Sequence, residues 1–271
     1  MSTDFIITVF TPTYNRAYTL SRLYESLICQ TDQSFEWVIV DDGSTDTTEA
    51  LVVTFVKQGL LDIRYFKKAN EGKHRAINQG VQMAKGELFF IVDSDDFLKP
   101  NAIERIKQEW ELSISNRTDD NKLGGVCFRR QNYSSNIIVG TVSSLIKIET
   151  SSIRLLYEQK IKGDKAEVFR TSILREFPFP VFKNEKFVPE ALVWFRIARK
   201  YNLLFVNEAI YFCDYLPDGL SENFANTLKM NPLGFLEYYR EAYSIREISL
   251  AQKLRFLVRM MQCKYNLVTK K

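Results

Sequence analysis

Three carboxylates follow one apolar run of this chain. Residues 87–92 read as a buried strand, and Asp93, Asp95 and Asp96 come directly after it. Three acids within four residues repel one another where water is scarce, and a bound divalent cation relieves that repulsion. Carboxylate oxygens are hard ligands of the kind that suit Mn²⁺ and Mg²⁺, which also bind diphosphate. The spacing therefore indicates a cation site.

A second pair of acids repeats the pattern upstream. Residues 36–40 form a strand-like run that leads into Asp41 and Asp42 and then into the polar segment Gly43–Asp46. In open α/β folds the ligand lies in the crevice outside the carboxyl ends of the strands. Two strands that both end in acids therefore predict one shared crevice at the carboxyl edge of a sheet.

The elements that must hold these acids alternate between strand and helix through the first half of the chain. The helical segments carry apolar residues three and four apart, and Pro100 and Gly86 mark helix boundaries. This alternation predicts an α/β fold with a mostly parallel sheet flanked by helices. The predicted strands are 6–10, 37–40, 63–66 and 88–92, and the predicted helices are 18–29, 46–57, 73–85 and 101–113.

The pattern loosens after residue 115. Residues 116–121 are predicted to form a polar loop, and we see no internal repeat or low-complexity tract. We expect the second half to form a lid against the same sheet, rather than an independent domain. Its predicted elements are strands near 125–129 and 137–142, a helix over 189–200, a strand pair over 203–215 and a helical tail from 232.

Composition limits the class of protein. The 271 residues suffice for a sizeable core, and the net charge of +4 is too mild to predict nucleic-acid binding. Four scattered cysteines and a single histidine exclude a multi-histidine zinc site and favour reduced thiols. The N-terminus lacks the pattern of a signal peptide, and no apolar run approaches the ~20 residues that span a bilayer. We expect a cytoplasmic protein.

Four segments at predicted element boundaries occur in a specific order. They are Thr11–Arg16, Asp41–Asp46, Asn70–Gly80 and Asp93–Asp96. Together they resemble the nucleotide-sugar domain of the inverting, family-two glycosyltransferases with the GT-A fold. The resemblance is strong over residues 5–100 and weaker over 160–215. It implies a nucleotide-sugar-binding half at 1–115, an acceptor-binding half of the same domain at 116–230, and a C-terminal helical tail at 231–271.

The resemblance also implies roles for single residues. The turn at Pro12 would border the base, with Tyr14 as a stacking face, and Asp42 would accept a hydrogen bond from the base edge. Asp95 would ligate Mn²⁺ or Mg²⁺ directly, with Asp93 contacting the ribose or a metal-bound water. Lys73 would reach toward the nucleotide or its phosphates. The residues expected in the donor and metal site are Pro12, Thr13, Tyr14, Arg16, Asp42, Lys73, Asp93, Ser94 and Asp95.

Simpler explanations stay open for several polar residues. The segment Ser44–Asp46 can cap the helix that follows it. Lys73 can be a solvated residue at a helix start, and His74 fits a packing role better than a catalytic one. Arg16 and Arg75 can be surface charges. The acids after the fourth strand fit a mere polar loop poorly, because four successive apolar residues precede them.

Inverting transfer also needs a base. The acceptor hydroxyl attacks the anomeric carbon opposite the leaving diphosphate, and a carboxylate must take its proton. Glu190 is the predicted base, because an acid at a helix start followed by aromatic and basic residues resembles the family's base motif. Many members carry an acidic pair there, whereas Pro189 precedes a single glutamate here. A glutamate favoured by the helix dipole is the alternative reading. Asp164 is the second candidate, as base or as a ligand of either sugar.

The tail from Leu250 to Lys271 holds six basic residues and no acid. Its apolar residues recur at roughly helical spacing. A basic amphipathic helix of this kind can make a peripheral contact with the inner face of an anionic membrane. A terminal helix that packs on the domain and solvates its charged face explains the pattern as well. The apolar residues are Leu250, Leu254, Leu257, Val258 and Met261.

These patterns together predict a metal-dependent glycosyltransferase. It would move one sugar from a nucleoside-diphosphate donor, expected to be UDP-linked, to a hydroxyl of a glycan or lipid-linked glycan in cell-surface or capsular glycan synthesis. The absence of a Q-x-x-R-W motif argues against a processive synthase. No glycine precedes Gly43, which disfavours a nucleotidyltransferase or a dinucleotide oxidoreductase. A catalytically silent GT-A scaffold that only binds nucleotide is the alternative.

Overall fold

The structure is a computed structural model that describes residues 6–115, 122–214 and 224–269. The predicted polar loop 116–121, Tyr215 and Lys270–Lys271 lie outside the described residues. The strands are β1 Ile7–Thr13, β2 Phe35–Asp41, β3 Ile63–Lys67, β4 Leu88–Ile91, β5 Phe97–Leu98, β6 Leu123–Asn132, β7 Ile137–Ile138, β8 Lys147–Thr150, β9 Lys165–Arg170 and β10 Asn202–Cys213. The helices are α1 Ala17–Ile28, α2 Thr48–Gln58, α3 Lys73–Met83, α4 Ala102–Ser115, α5 Ser152–Tyr157, α6 Thr171–Glu176, α7 Ala191–Ala198, α8 Phe224–Met230, α9 Pro232–Tyr243 and α10 Leu250–Thr269.

One large sheet organises the described part of the chain. Its strand order is β3-β2-β1-β4-β9-β6-β10-β5, with β7 beside β6 and β8 beside β10. Strands β1 to β4 pair in parallel, and β9 lies antiparallel between β4 and β6. Because β6 is antiparallel to β9 and parallel to β10, both run in the same direction as β1 to β4. The carboxyl ends of six strands therefore lie at one edge, and the predicted α/β fold is confirmed.

Helices cover both faces of this sheet. Every residue of β1, β2 and β4 is buried, as expected for strands covered on both sides. Alternate residues of β2 serve the two faces: Trp37 and Ile39 pack with α1, α2 and α4, whereas Val38 and Val40 pack with α3, α6 and α7. The strand ends are thus held between two apolar layers, and the turns that follow them stay in place.

The second half of the chain builds on the same sheet, since β6, β9 and β10 are among its strands. The division at residues 115 and 230 stays a prediction. Strand β9 was not among the predicted elements, although the alternation of charged and apolar residues over Lys165–Val168 is typical of a half-buried strand. The expected strand pair over 203–215 is one long strand, β10, whose pairing with β6 shifts register between Phe205 and Ala209.

The C-terminal helices pack beside the sheet. Helix α9 contacts α7, and α10 lies along α9 and α8. Their shared apolar cluster includes Leu228, Phe235, Tyr239 and Cys263. Among the described residues, no helix combines the length and the apolar character that crossing a membrane requires.

The start of α3 depends on a glycine. Gly72 has a φ of +102°, and a Cβ there would stand 1.9 Å from the Lys186 carbonyl oxygen. Gly59 ends α2 with a φ of +66°, and a Cβ there would meet nothing within 4 Å. Both positions have a positive φ, but Gly59 is left-handed helical with a ψ of 20°, whereas Gly72 is extended with a ψ of 153°. They also differ in the space around them. Gly72 lets the α3 start approach the loop that leads to α7.

We predict that Gly72→Ala lowers the free energy of unfolding by roughly 2–4 kcal/mol, because backbone strain and overlap with Lys186 add together. The matched variant Gly59→Ala should cost only about 1 kcal/mol, from backbone strain alone. Urea unfolding followed by circular dichroism measures both. Equal losses in the two variants would show that the close approach to Lys186 is unimportant.

Candidate active site

A cavity of about 720 Å³ opens at the carboxyl edge of the sheet. It lies where β1, β2, β4, β6 and β10 end and where α3 begins. Asp42 and Asp95, which follow different strands, line this same cavity. Of the residues predicted for the site, those that line it are Pro12, Thr13, Tyr14, Arg16, Asp42, Lys73, Asp93, Ser94, Asp95 and Asp164.

The turn after β1 is tied to the turn after β2. Asn15 has a φ of +52°, and its Oδ1 accepts a hydrogen bond of 2.8 Å from the Thr45 backbone N–H. Its own N–H donates to Ser44 Oγ at 2.8 Å. Asp46 accepts from the N–H of Ala17 and of Thr48, so one carboxylate satisfies a donor at the start of both α1 and α2. These bonds hold Tyr14, half exposed, at the cavity wall.

The two acids at the end of β2, Asp41 and Asp42, make different contacts. Asp41 is fully buried and accepts from the Ser44 N–H at 2.7 Å and from the Tyr65 hydroxyl at 2.6 Å. Asp42 faces the cavity and accepts from the N–H groups of Glu71 and Gly72, at 2.9 and 2.7 Å. A carboxylate oxygen has two lone pairs. Asp42 Oδ2, which accepts only from Gly72 among these contacts, retains one for a ligand.

Lys73 joins two of the predicted site acids. Its ammonium lies 2.6 Å from Asp93 Oδ1 and 2.8 Å from Glu190 Oε1. Burial would lower the pKa of Lys73, but the two carboxylates outweigh that effect and raise the pKa. The reading of Lys73 as a solvated surface residue therefore does not fit its surroundings. Lys73 is a cation held between the end of β4 and the start of α7.

Arg130, on β6, supports the acids after β4 from the other side. Its guanidinium lies 3.5 Å from Asp96 and 3.7 Å from Asp93, and its centre stacks 4.1 Å above the Tyr211 ring. The Tyr211 hydroxyl donates to Asp96 Oδ2 at 2.7 Å and accepts from the Asp93 N–H at 3.0 Å. Burial would raise the pKa of Asp93, but Lys73 and Arg130 outweigh it and lower that pKa.

Asp95 is an acid whose environment favours a further cation. Burial and then the charge of Asp93 raise the pKa of Asp95. Within the described residues, no group of three or more His, Cys, Asp or Glu side chains could hold a metal ion by themselves. Mg²⁺ and similar cations are commonly bound by one or two carboxylates together with substrate phosphates and water. Asp95 and Asp93 are the acids that could take part in such a shared site.

The two candidate bases differ in position. Asp164 lines the cavity directly, just before β9. Glu190 immediately precedes α7, makes no side-chain cap of that helix and contacts the cavity-lining Lys73. Glu190 itself is not among the residues that line the cavity. The ion pair with Lys73 nevertheless places the Glu190 carboxylate one side chain away from Asp93.

Other polar residues of the α3 start serve the fold. His74 is buried, and neither ring nitrogen makes a hydrogen bond of good geometry among the described residues, although the Lys186 backbone lies close. Burial and the charge of Arg75 lower the pKa of His74 to about 4, so the ring is neutral near pH 7. Arg75 donates to the Phe182 carbonyl oxygen at 2.8 Å and is mostly buried, so it is not a surface charge. The buried, neutral ring supports the packing role expected for His74.

Sequence reasoning missed part of the site. Arg130 follows an apolar run as the acids do, and the pair Arg129 and Arg130 at the end of a strand-like segment is a usable signal. Asp214 follows the apolar end of β10 and carries the same signal, whereas Lys186, which precedes α7, carries none. The missed residues that line the cavity include Arg130, Asp214, Lys186, Asn226, Thr227 and Asn231.

Curated proteins with similar sequences are glycosyltransferases. An uncharacterized glycosyltransferase of Nostoc sp. is 37% identical over 107 residues, which cover 40% of this chain and 33% of that protein. Glycosyltransferase GlyG of Streptococcus pneumoniae is 39% identical over 105 residues, which cover 38% of this chain and 35% of GlyG. The chain thus spans about a third of the length of these relatives.

Solved structures show the same fold at low sequence identity. TarS of S. aureus (residues 1–349) in complex with UDP-GlcNAc has a TM-score of 0.64 and 20% identity, over 96% of this chain and 72% of that one. The mannosyltransferase PcManGT of Pyrobaculum calidifontis, in complex with GDP-Man and Mn²⁺, has a TM-score of 0.59 and 16% identity, over 97% and 74%. The predicted GT-A fold is confirmed by these likenesses.

The family follows from a match over most of the sheet. Residues 8–174 match the family described as Glycosyl transferase family 2. That range is more than half of the chain, and it contains β2 to β9, all of β1 except Ile7, and every acid that follows β2 and β4. The predicted family is confirmed: the protein belongs to glycosyl transferase family 2.

Proposed function

We propose that this protein is a metal-dependent glycosyltransferase that moves one sugar from a nucleoside-diphosphate donor to an acceptor hydroxyl with inversion. The observation that carries the proposal is the shared cavity of Asp42 and Asp95. One acid follows β2 and the other follows β4, so the cavity can hold the base of a nucleotide at one end and its diphosphate at the other. UDP is the proposed nucleotide, as it is in the TarS complex, whereas PcManGT binds GDP-Man.

The donor end of the cavity suits a nucleotide. Tyr14 offers a ring face, and Asp42 offers a free lone pair for a base N–H. Arg16 and Lys73 supply positive charge on the path of the diphosphate. The Asp93 and Asp95 carboxylates would hold Mn²⁺ or Mg²⁺, as the Mn²⁺ in the PcManGT complex suggests. When bound, the cation would stabilise the negative charge that develops on the leaving diphosphate.

A carboxylate of the chain would accept the proton of the acceptor hydroxyl. Glu190 would accept the proton of the acceptor hydroxyl while the new bond to the anomeric carbon forms and the bond to the diphosphate breaks. Before the donor binds, Lys73 pairs with both Glu190 and Asp93. A diphosphate offers Lys73 a more highly charged partner, so donor binding would free Glu190 for the acceptor. Asp164 lines the cavity and is the second candidate for this role.

For the acceptor, only the chemical class and the part of the cavity wall that would bind it are proposed. A glycan or lipid-linked glycan in cell-surface or capsular synthesis is the proposed acceptor, and residues 116–230 supply the acceptor half of the cavity wall. Asp164, Lys186 and Asn226 are polar groups on that wall that could contact sugar hydroxyls. No nucleic-acid partner is proposed. The cytoplasmic location at the inner face of a membrane stays a prediction.

A nucleotide-binding scaffold without activity is the alternative. The cavity acids alone do not separate an enzyme from a scaffold, because both would bind the donor. The difference lies in the release of UDP from a UDP-sugar, with water as the acceptor where the natural one is not known. Slow, metal-dependent release of the nucleoside diphosphate from one of a panel of UDP- and GDP-sugars is expected of the enzyme, and no release from any donor is expected of the scaffold.

The metal site predicts a specific binding defect. Asp95→Asn should lower the affinity for UDP in the presence of Mn²⁺ by roughly tenfold or more, because a neutral amide ligates a hard cation more weakly. Titration calorimetry with and without Mn²⁺ measures this difference. The control Asp62→Asn changes an exposed acid before β3, at the opposite edge of the sheet, and should bind as the unchanged protein does. An unaltered Mn²⁺ effect in Asp95→Asn would refute the assignment.

Removal of the base should slow turnover without weakening donor binding. Glu190→Gln should keep the affinity for UDP within a few-fold and lower the rate of sugar transfer by about two to four decades, the usual range for loss of a general base. Asp164→Asn is the matched comparison, and it should retain most of the rate. If Asp164→Asn abolishes transfer while Glu190→Gln does not, the base is Asp164.

A further inference from the structure

Helix α10 has two apolar faces. One face packs on α8 and α9, where Cys263 is fully buried and Phe256 lies 5.7 Å from the Tyr239 ring. Met260 and Leu267 pack against the same cluster. These positions are three or four residues apart, so they form one face of the helix. The prediction that the tail packs on the domain accounts for this face.

The opposite face carries a second apolar series that the packing leaves exposed. Its members are again three or four residues apart along the helix, which places them on one continuous stripe. Between 63% and 81% of each residue is exposed. A large contiguous apolar surface of this kind marks an interaction site more often than scattered single residues do. The exposed stripe consists of Leu250, Leu254, Val258, Met261, Tyr265 and Val268.

Basic residues border the exposed stripe on both sides. With 3.6 residues per turn, Lys253 and Lys264 fall along one border, and Arg255 and Arg259 fall along the other. The helix from Leu250 to Thr269 contains no acid. Arg255, Arg259 and Lys264 are exposed. The surface therefore combines an apolar centre with positive borders.

We propose that α10 docks on an anionic lipid surface, with the exposed stripe buried at the boundary of headgroups and acyl chains and the basic borders among the headgroups. Charge complementarity favours an anionic membrane over a second copy of the chain. If the stripe paired with that of a second copy of the chain, the two sets of basic borders would face each other and repel. An anionic membrane instead gains from each of these charges.

The docked helix would lie close to the cavity. Helix α8 packs against α10, and its residues Asn226 and Thr227 line the cavity. A membrane contact through α10 would therefore hold the cavity near lipid-borne molecules. This consequence rests on the proposed function, whereas the docking itself does not. Lipid binding can be tested without donor, acceptor or turnover.

The test is co-sedimentation of the purified full chain with vesicles. Phosphatidylcholine vesicles with phosphatidylglycerol as about one lipid in four should bind the protein, and vesicles of phosphatidylcholine alone should bind it weakly. The double variant Leu254→Gln/Met261→Gln should lower the partition coefficient at least about tenfold, because it removes two apolar contacts. Arg255→Gln/Lys264→Gln should lower it and weaken its dependence on salt.

A matched control separates the stripe from general hydrophobicity. Val142→Gln/Ile146→Gln removes two apolar side chains that are 87% and 80% exposed elsewhere on the surface, and it should leave vesicle binding unchanged. Circular dichroism checks that all variants are folded. Absence of binding to the anionic vesicles, or equal binding by the stripe variant, would overturn the proposal. Dimers that the stripe variant abolishes, without vesicle binding, would assign the stripe to a second copy.

Discussion

Repulsion among carboxylates at one edge of the sheet is the constraint on which the site depends. Asp93, Asp95 and Asp96 follow β4 within four residues, and burial makes their charges costly. Lys73 and Arg130 offset part of that charge, and each arrives from a different element. The start of α3 and strand β6 therefore both supply positive charge to the turn after β4. A bound cation would offset more of the negative charge of these acids, and the diphosphate would pair with the cation and with Lys73.

The fold brings these charges together by a particular strand order. Strand β9 separates β4 from β6, so Arg130 must reach across one strand to Asp93 and Asp96. Tyr211, on β10, fills the space beneath the guanidinium and fixes both Asp93 and Asp96 by hydrogen bonds. Residues from the second half of the chain thus shape the acids of the first half. The α10 surface, by contrast, is independent of this network.

Much of the first half could be predicted because its signals are local. The acids at Asp42 and Asp95 stand directly after apolar runs, and parallel strands bring such ends to one edge. Other features depend on pairing between distant segments. Nothing in the six residues of β9 shows that they would lie antiparallel between β4 and β6, and nothing local to Tyr211 shows that it would meet Asp96. The role of Asp41 as an internal bond acceptor, unlike its neighbour Asp42, also emerges only from three-dimensional contacts.

In this account, the acids that follow β2 and β4 bind one nucleoside diphosphate, and a cation links the diphosphate to Asp95. Crystals grown with UDP and Mn²⁺, measured at a wavelength where manganese scatters anomalously, test it most directly. We expect an anomalous peak in contact with the Asp95 carboxylate and the diphosphate, with the uracil near Asp42 and Tyr14. UDP bound elsewhere on the molecule, or bound in the cavity with no manganese beside Asp95, would contradict the account.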